Sequence, residues 1–169
     1  TLFYMVDTNE AAYYTGPATP AALSQLLPLY LSSADFVRVL SGGFPQDELA
    51  SDWRERAVLD WNDDEGRYRL VLPRQDGGSL VVELEYPSFA TAYLAIRNAE
   101  GDEVYVYRAK DFTAVGSTSL PSVCRFEMVE REVDVTLRIE KADVNLSLQD
   151  KVFELPIPPG FTVVPVSGD

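Results

Sequence analysis

The acidic side chains are the first candidates for chemistry. Asp60, Asp63, Asp64 and Glu65 crowd around Trp61, a grouping that could hold calcium or supply a carboxylate pair for acid–base work. The run Asn62-Asp63-Asp64-Glu65-Gly66 lies between two strand-like segments, however, where Asn, Asp and Gly make hairpin turns, and it lacks the spaced oxygens of a calcium loop. A solvated turn is the expectation. Glu83 and Glu85, two apart on one strand face, could space two carboxyl groups for glycoside chemistry. Pairing of the flanking strands gives Glu85 a partner in Arg69, which predicts an outward, salt-bridged face instead. Ser79, Ser88 and Ser119 have no histidine anywhere to activate them, because the chain contains none. With no histidine and only Cys124, a Cys/His zinc site and an intrachain disulfide are both excluded. Cys124 falls in the apolar phase of a strand and reads as a small core residue. The glycine pairs Gly42-Gly43 and Gly77-Gly78 have turn spacing, not phosphate-loop spacing. No catalytic residue, metal ligand or cofactor site emerges, and an enzyme is not expected.

Charge narrows the partners. The formal net charge is -13, from 27 acids against 14 bases that are scattered along the chain. A nucleic-acid partner needs a basic surface to displace counterions from phosphates, so none is expected. Anionic lipid headgroups are repelled at long range for the same reason. No apolar run approaches the roughly 20 residues that cross a bilayer as a helix. The opening Thr1-Leu2-Phe3-Tyr4-Met5-Val6 already reads as a strand. A mature chain, or a piece of a longer protein with strands ahead of Thr1, is therefore expected.

The elements that would position any site are mostly strands. Residues 1–15 read as a hairpin turning through Asp7-Thr8-Asn9-Glu10. Thr19 is a candidate N-cap and Pro20 a first helical residue, after which Leu23, Leu26, Leu27 and Tyr30 share one helical face until Pro28 limits or kinks it. A second short helix is capped by Ser32 or Ser33, carries Asp35 in its first turn and Phe36, Val37 and Leu40 as its apolar stripe, and ends at Gly42-Gly43. Everything after about Arg54 reads as strands. The first hairpin there turns at Asp76-Gly77-Gly78 and pairs Tyr68 with Tyr86, Leu70 with Leu84, Leu72 with Val82 and Arg69 with Glu85. The second turns at Ala99-Glu100-Gly101 and pairs Leu94 with Val106, Ile96 with Val104 and Arg97 with Glu103, leaving Tyr93, Tyr105 and Tyr107 together on the other face. The third turns at Glu130-Arg131 and brings Cys124, Phe126 and Met128 opposite Leu137, Val135 and Val133. Consecutive hairpins of this kind describe a large antiparallel meander whose inner face must be covered, here by the helical pair. The fold class is mainly β (α+β), a curved antiparallel sheet with a short helical lid, over residues 1–169 as a single domain.

Two groups of phrases carry a resemblance. The C-terminal third strings together Leu120-Pro121, Val133 to Ile139, Val144-Asn145-Leu146-Ser147-Leu148, and Val152-Phe153-Glu154-Leu155-Pro156-Ile157-Pro158-Pro159-Gly160-Phe161. Ahead of it, Leu29 to Gly42 runs Leu-Tyr-Leu-Ser-Ser-Ala-Asp-Phe-Val-Arg-Val-Leu-Ser-Gly. In this order and at these distances the phrases resemble the LolA/LolB-like envelope lipoprotein family, the helical one closer to LolB. The resemblance implies a half-open β-barrel with helices as a lid over an apolar cavity. It also implies a periplasm-facing lipid- or lipoprotein-binding role in outer-membrane lipoprotein trafficking, with an acyl chain or lipoprotein as partner and an outer-membrane anchor outside this chain. The acyl chain would lie between Leu23, Leu26, Leu27, Phe36 and Leu40 on the lid and Leu70, Leu72, Val82 and Leu84 on the sheet. Members normally carry a further helix and early strands ahead of the equivalent of Thr1, and the arginine that latches the lid in the carrier branch has no counterpart identified here. A different class stays open: a structural or adaptor protein of an outer-membrane assembly, docking a protein partner through the tyrosine face or a free strand edge.

Overall fold

The computed structural model describes the chain apart from residues 1, 20, 21, 23, 24, 26–30, 117, 129–131, 145, 168 and 169. Its described residues form ten strands in two sheets, one of three strands and one of seven. By contacts the chain divides into two units, Thr1–Ser33 with Asn145–Asp169, and Ala34–Val144.

The first unit holds the small sheet. Strands β1 (Leu2–Asp7) and β2 (Ala12–Pro17) form the expected antiparallel hairpin, with Leu2 opposite Pro17 and Asp7 opposite Ala12. Its turn is closed by the Asp7 carboxylate, whose Oδ1 accepts the N–H groups of Asn9 at 2.8 Å and Glu10 at 3.1 Å. Strand β10 (Thr162–Pro165) adds to β2 in parallel. The two backbones come so close that a Cβ on Gly16 would stand 2.4 Å from the Val166 carbonyl oxygen, so only glycine fits there. Buried Tyr13 donates its hydroxyl to the Leu155 carbonyl at 2.6 Å. Thr19 caps as expected, its Oγ1 accepting the Ala22 N–H at 3.2 Å. Leu23, Leu26 and Leu27 lie outside the described residues. Residues 144 and 146–149 are in no regular element, and a 3₁₀ turn, Asp150–Phe153, follows. Leu146 and Leu148 are exposed.

The second unit holds the large sheet, an antiparallel meander in sequence order: β3 (Val58–Asn62), β4 (Arg67–Pro73), β5 (Ser79–Glu85), β6 (Thr91–Arg97), β7 (Glu103–Val115), β8 (Thr118–Met128) and β9 (Val133–Arg138). The sheet is open, with β3 and β9 at its two ends. Its apolar face buries Leu72, Leu80, Val82, Leu94, Ile96, Tyr105, Tyr107, Cys124 and Phe126 almost completely. Each aliphatic or aromatic side chain so buried contributes roughly 1.5–3 kcal/mol.

Helix α1 (Ser33–Leu40) lies over that face, its Phe36 ring centred 5.6 Å from the ring of Phe126. Val39 is the fully buried member of its stripe, whereas Val37, expected there, is 62% exposed. Val37 lies two residues from Val39, about 200° round the helix, so the two cannot share a face. The helix closes as its glycines predict: Gly42 and Gly43 donate to the carbonyls of Val39 and Arg38, with Gly42 at φ 86°. Buried Asp35 fixes the following loop by accepting the N–H groups of Gln46 at 2.9 Å and Asp47 at 3.1 Å. One further helical turn, α2 (Trp53–Arg56), stands where strands were expected to begin; it is steadied by an Arg56–Asp52 pair at 3.3 Å.

Two registers differ from expectation. Between β4 and β5 the pairing is Tyr68 with Leu84, Leu70 with Val82 and Leu72 with Leu80, two residues along from the expected one. The turn runs through Gln75-Asp76-Gly77, one residue earlier than Asp76-Gly77-Gly78, because the Arg74 N–H bonds to the Gly78 carbonyl at 3.0 Å. A slip of two leaves every side chain on its expected face, but it changes the partners: Arg67 meets Glu85, and Arg69 meets Glu83. Between β6 and β7 the expected Arg97–Glu103 pair forms, and a bulge between Ile96 and Arg97 then shifts the ladder by one. Leu94 therefore faces Tyr107, and Ile96 faces Tyr105. The expected tyrosine patch is split, with Tyr105 and Tyr107 turned into the core and Tyr93 left on the polar face. The third hairpin pairs as expected, Cys124 with Leu137, Phe126 with Val135 and Met128 with Val133.

Candidate functional site

Alternation along the strands gives the large sheet two faces of opposite chemistry. On the apolar face one cross-strand row runs Leu59, Leu70, Val82, Leu94, Tyr107, Phe126. Its inner members are closed off, while Leu59 at the β3 edge is 61% exposed. The neighbouring row brings Trp61, Tyr68 and Leu84 side by side. Trp61 packs edge-on against Tyr68 at 4.9 Å between centroids and against Tyr86 at 6.4 Å, and Phe89 stacks on Tyr68 at 5.7 Å. Three of these rings are largely open: Trp61 at 44%, Tyr86 at 62% and Phe89 at 56% exposure. Ring pairs of this kind hold one another by about 0.5–1.5 kcal/mol. A contiguous apolar patch left open to solvent marks an interaction surface more often than it marks neglect.

Against this geometry the six expected ligand-binding residues that are described separate into two groups, Leu23, Leu26 and Leu27 lying outside the described residues. Leu72 and Val82 are 0% exposed, so they are core in this structure, with no surface open to a ligand. Phe36, Leu40, Leu70 and Leu84 are half-buried around the margin of that core. Leu70 and Leu84 adjoin the open rings. Reading for apolar lining alone missed Trp61, Tyr68, Tyr86 and Phe89. Strict alternation from Leu59 through Trp61 carried the signal, obscured by the acids on either side of Trp61.

The polar face carries the largest depression of those described, about 840 Å³ against about 390 and 350 Å³ for two shallower ones. Its central row reads Asp60, Arg69, Glu83, Tyr93, Arg108, Arg125, Thr136 from one end of the sheet to the other. Seven basic side chains line the depression, half of the chain's 14. Half of the bases that look scattered in sequence are thus gathered by the fold, because these seven occupy the outward phase of a strand. Arg67 bridges to Glu85 at 2.8 Å and lies 3.8 Å from Glu83. Glu103 accepts from Arg97 at 2.8 Å and from the Tyr93 hydroxyl at 3.0 Å. Arg125 holds Asp134 by two hydrogen bonds at 2.9 and 2.5 Å.

Titration behaviour follows burial and these contacts. Burial pushes the Tyr105 and Tyr107 hydroxyls far above the ordinary tyrosine value, and it raises the Cys124 thiol as well. The thiol is buried beside the Tyr107 hydroxyl at 3.5 Å, the environment of an inert core cysteine, as its sequence position predicts. The acids around Trp61 make the expected turn, with Gly66 N–H bonding to the Asn62 carbonyl at 2.8 Å. Among the described residues, no group of three or more Asp, Glu, Cys or His side chains is arranged to hold a metal ion.

No protein-family model matches the chain, and no curated protein matches it. Two solved structures are similar to part of it. One is a domain from Vibrio parahaemolyticus named for outer-membrane lipoprotein sorting, covered over 58% of this chain and 45% of that one at 10% identity and a TM-score of 0.48. The other is a LolA superfamily protein from Nitrosomonas europaea, over 58% of this chain and 46% of that one at 15% identity and a TM-score of 0.41. The chain spans less than half the length of either structure.

Proposed function

We propose that the chain is a non-enzymatic binding domain of the bacterial cell envelope that receives the acyl chain of a lipid or lipoprotein at the open end of its apolar face. The observation that carries this reading is the continuity of that face. The same strands that are sealed at Leu72 and Val82 run outward through half-buried Leu70 and Leu84 to the exposed rings of Trp61, Tyr86 and Phe89. An acyl chain laid on this edge gains about 0.8 kcal/mol for each methylene it buries.

Trp61 is the natural reporter. In a Trp53→Phe variant, which leaves it as the single tryptophan, a fatty acid brominated along its chain should quench emission saturably. Leu84→Lys should abolish the effect while the fold, followed by circular dichroism, persists. Absence of quenching at any concentration below micelle formation would remove the acyl-chain reading.

A second reading has its own observation. Leu146, Leu148, Val152, Phe153, Leu155 and Ile157 are all exposed along one stretch of the first unit. An apolar run of that length fits an adaptor that docks a protein partner of an outer-membrane assembly, the function left if Trp61 meets no lipid.

A further inference from the structure

The polar face carries a second site, independent of the acyl-chain reading. Register places Lys110, Val123 and Arg138 in one row across β7, β8 and β9, and Arg108, Arg125 and Thr136 in the row beside it. With strands about 4.8 Å apart and same-face residues about 6.8 Å apart, four cationic side chains rise around Val123 within an area of roughly 10 by 7 Å. Arg108 stands directly opposite Arg125. Like charges so placed destabilise a sheet unless something negative holds them together.

The protein supplies only part of that negative charge. Glu127 pairs with Arg108 and lies 3.0 Å from Arg125, and Asp134 takes the other side of the Arg125 guanidinium. Lys110 and Arg138 line the same depression and have no acidic partner among the described residues. In a chain with 27 acids for 14 bases, two neighbouring cations left unpaired is an arrangement the composition does not force. Four cations against two acids leave a local charge of about +2, the complement of a phosphate monoester. Thr136 adds a hydroxyl donor at the rim, and low-dielectric walls concentrate the field inside a depression of this kind.

We propose that these residues bind a phosphate-type oxyanion, with Lys110 and Arg138 as its principal contacts and Arg108, Arg125 and Thr136 completing the cradle. The backbone of the sheet separates this site from the apolar face. The open aromatic edge at β3 is five strands from β8, roughly 24 Å. One small lipid therefore does not serve both, and failure at one site leaves the other standing. Two sources share the chemistry: a soluble phosphate ester and a phosphomonoester lipid headgroup.

Isothermal titration calorimetry of the full chain with inorganic phosphate and pyrophosphate at low ionic strength tests the proposal. The Lys110→Gln/Arg138→Gln variant, altered at two exposed positions, should bind at least about tenfold more weakly, as expected for losing charge-assisted hydrogen bonds. A Lys141→Gln/Lys151→Gln variant makes the same change in net charge elsewhere and should bind within about twofold of the parent. Flotation with phosphatidylcholine vesicles doped with phosphatidic acid separates the sources. Co-flotation that Lys110→Gln/Arg138→Gln abolishes assigns the site to a headgroup, and phosphate binding without co-flotation assigns it to a soluble ester. Neither phosphate nor vesicle binding, or equal weakening in both variants, would overturn the proposal.

Discussion

The two faces of the large sheet are built from the same strands, residue by alternate residue, and they solve different problems. On one, Tyr105, Tyr107 and Phe126 are buried, with Phe36 of α1 packed on Phe126. On the other, ion pairs and half-exposed arginines surround an open depression. Burial of an aromatic or aliphatic side chain stabilises by whole kilocalories, whereas an exposed ion pair contributes between nothing and about 1 kcal/mol. The fold therefore rests on the apolar face. The polar face is freer to place charge for other ends, because little of the stability depends on how that charge is arranged.

Phe126→Ala gives this comparison its largest test. The ring lies within 5.1 Å of Tyr107, 5.6 Å of Phe36 and 6.4 Å of Tyr105, centroid to centroid. Removing it from the centre of the face should cost about 3–5 kcal/mol by urea denaturation. A cost below about 1 kcal/mol would mean that the apolar face is not what holds the second unit together.

The sealed face also contains a flaw. The Tyr105 hydroxyl is buried with no hydrogen-bond partner among the described residues, whereas that of Tyr107 meets Cys124 Sγ. An unsatisfied buried hydroxyl costs about 1–3 kcal/mol. Tyr105→Phe should therefore raise stability by about 1 kcal/mol, allowing for the small void it leaves, while Tyr107→Phe should leave it level or lower. Destabilisation by Tyr105→Phe would show that the hydroxyl has a partner, such as ordered water.

Much of this division is legible in the sequence, and the misses share a cause. Alternation identifies Leu70, Leu72, Val82 and Leu84 as one face and finds the third hairpin's pairing, because a one-residue error there would expose every apolar side chain. The slip between β4 and β5 escapes notice because a shift of two preserves the pattern. The bulge at Ile96 and Arg97 escapes because tyrosine suits either face, so nothing in Tyr93, Tyr105 and Tyr107 objects to the wrong register. The basic depression is invisible for a related reason. Its cations come from β4, β6, β7, β8 and β9, and only the assembled register shows that they are neighbours. Leu59, Trp61, Tyr86 and Phe89 are recognisably apolar, but their exposure depends on the sheet ending at β3, which the sequence does not announce.

The smallest expected effect belongs to the polar face and sharpens the contrast most. Glu103 joins Arg97 to Tyr93, and the Arg97–Glu103 pair is about a third exposed, at 32% and 35%. Glu103→Gln should therefore cost less than about 1 kcal/mol at neutral pH. Its signature lies at the two ends of the pH scale. The Arg97 hydrogen bond, joined by that of Tyr93, holds the Glu103 carboxyl below its ordinary value near 4.5. That contribution is complete above pH 4.5 and is lost as pH falls through the lower folded value, so the variant should show a flatter acid limb. Tyr93 is pushed up to about 12, by burial first and then by the charge and hydrogen bond of Glu103. Its contribution is complete below the ordinary tyrosine value near 10 and is lost as pH rises towards 12. Tyrosinate absorbance, with Tyr93→Phe to identify the transition, should place Tyr93 near 12 in the parent. In Glu103→Gln it should fall lower but stay above 10, since burial persists. Tyr105 and Tyr107 should ionise only on unfolding. If Tyr93 titrates with the exposed tyrosines in the parent, the polar face is wetter than its geometry indicates, and the Arg97–Glu103–Tyr93 network does not persist in solution.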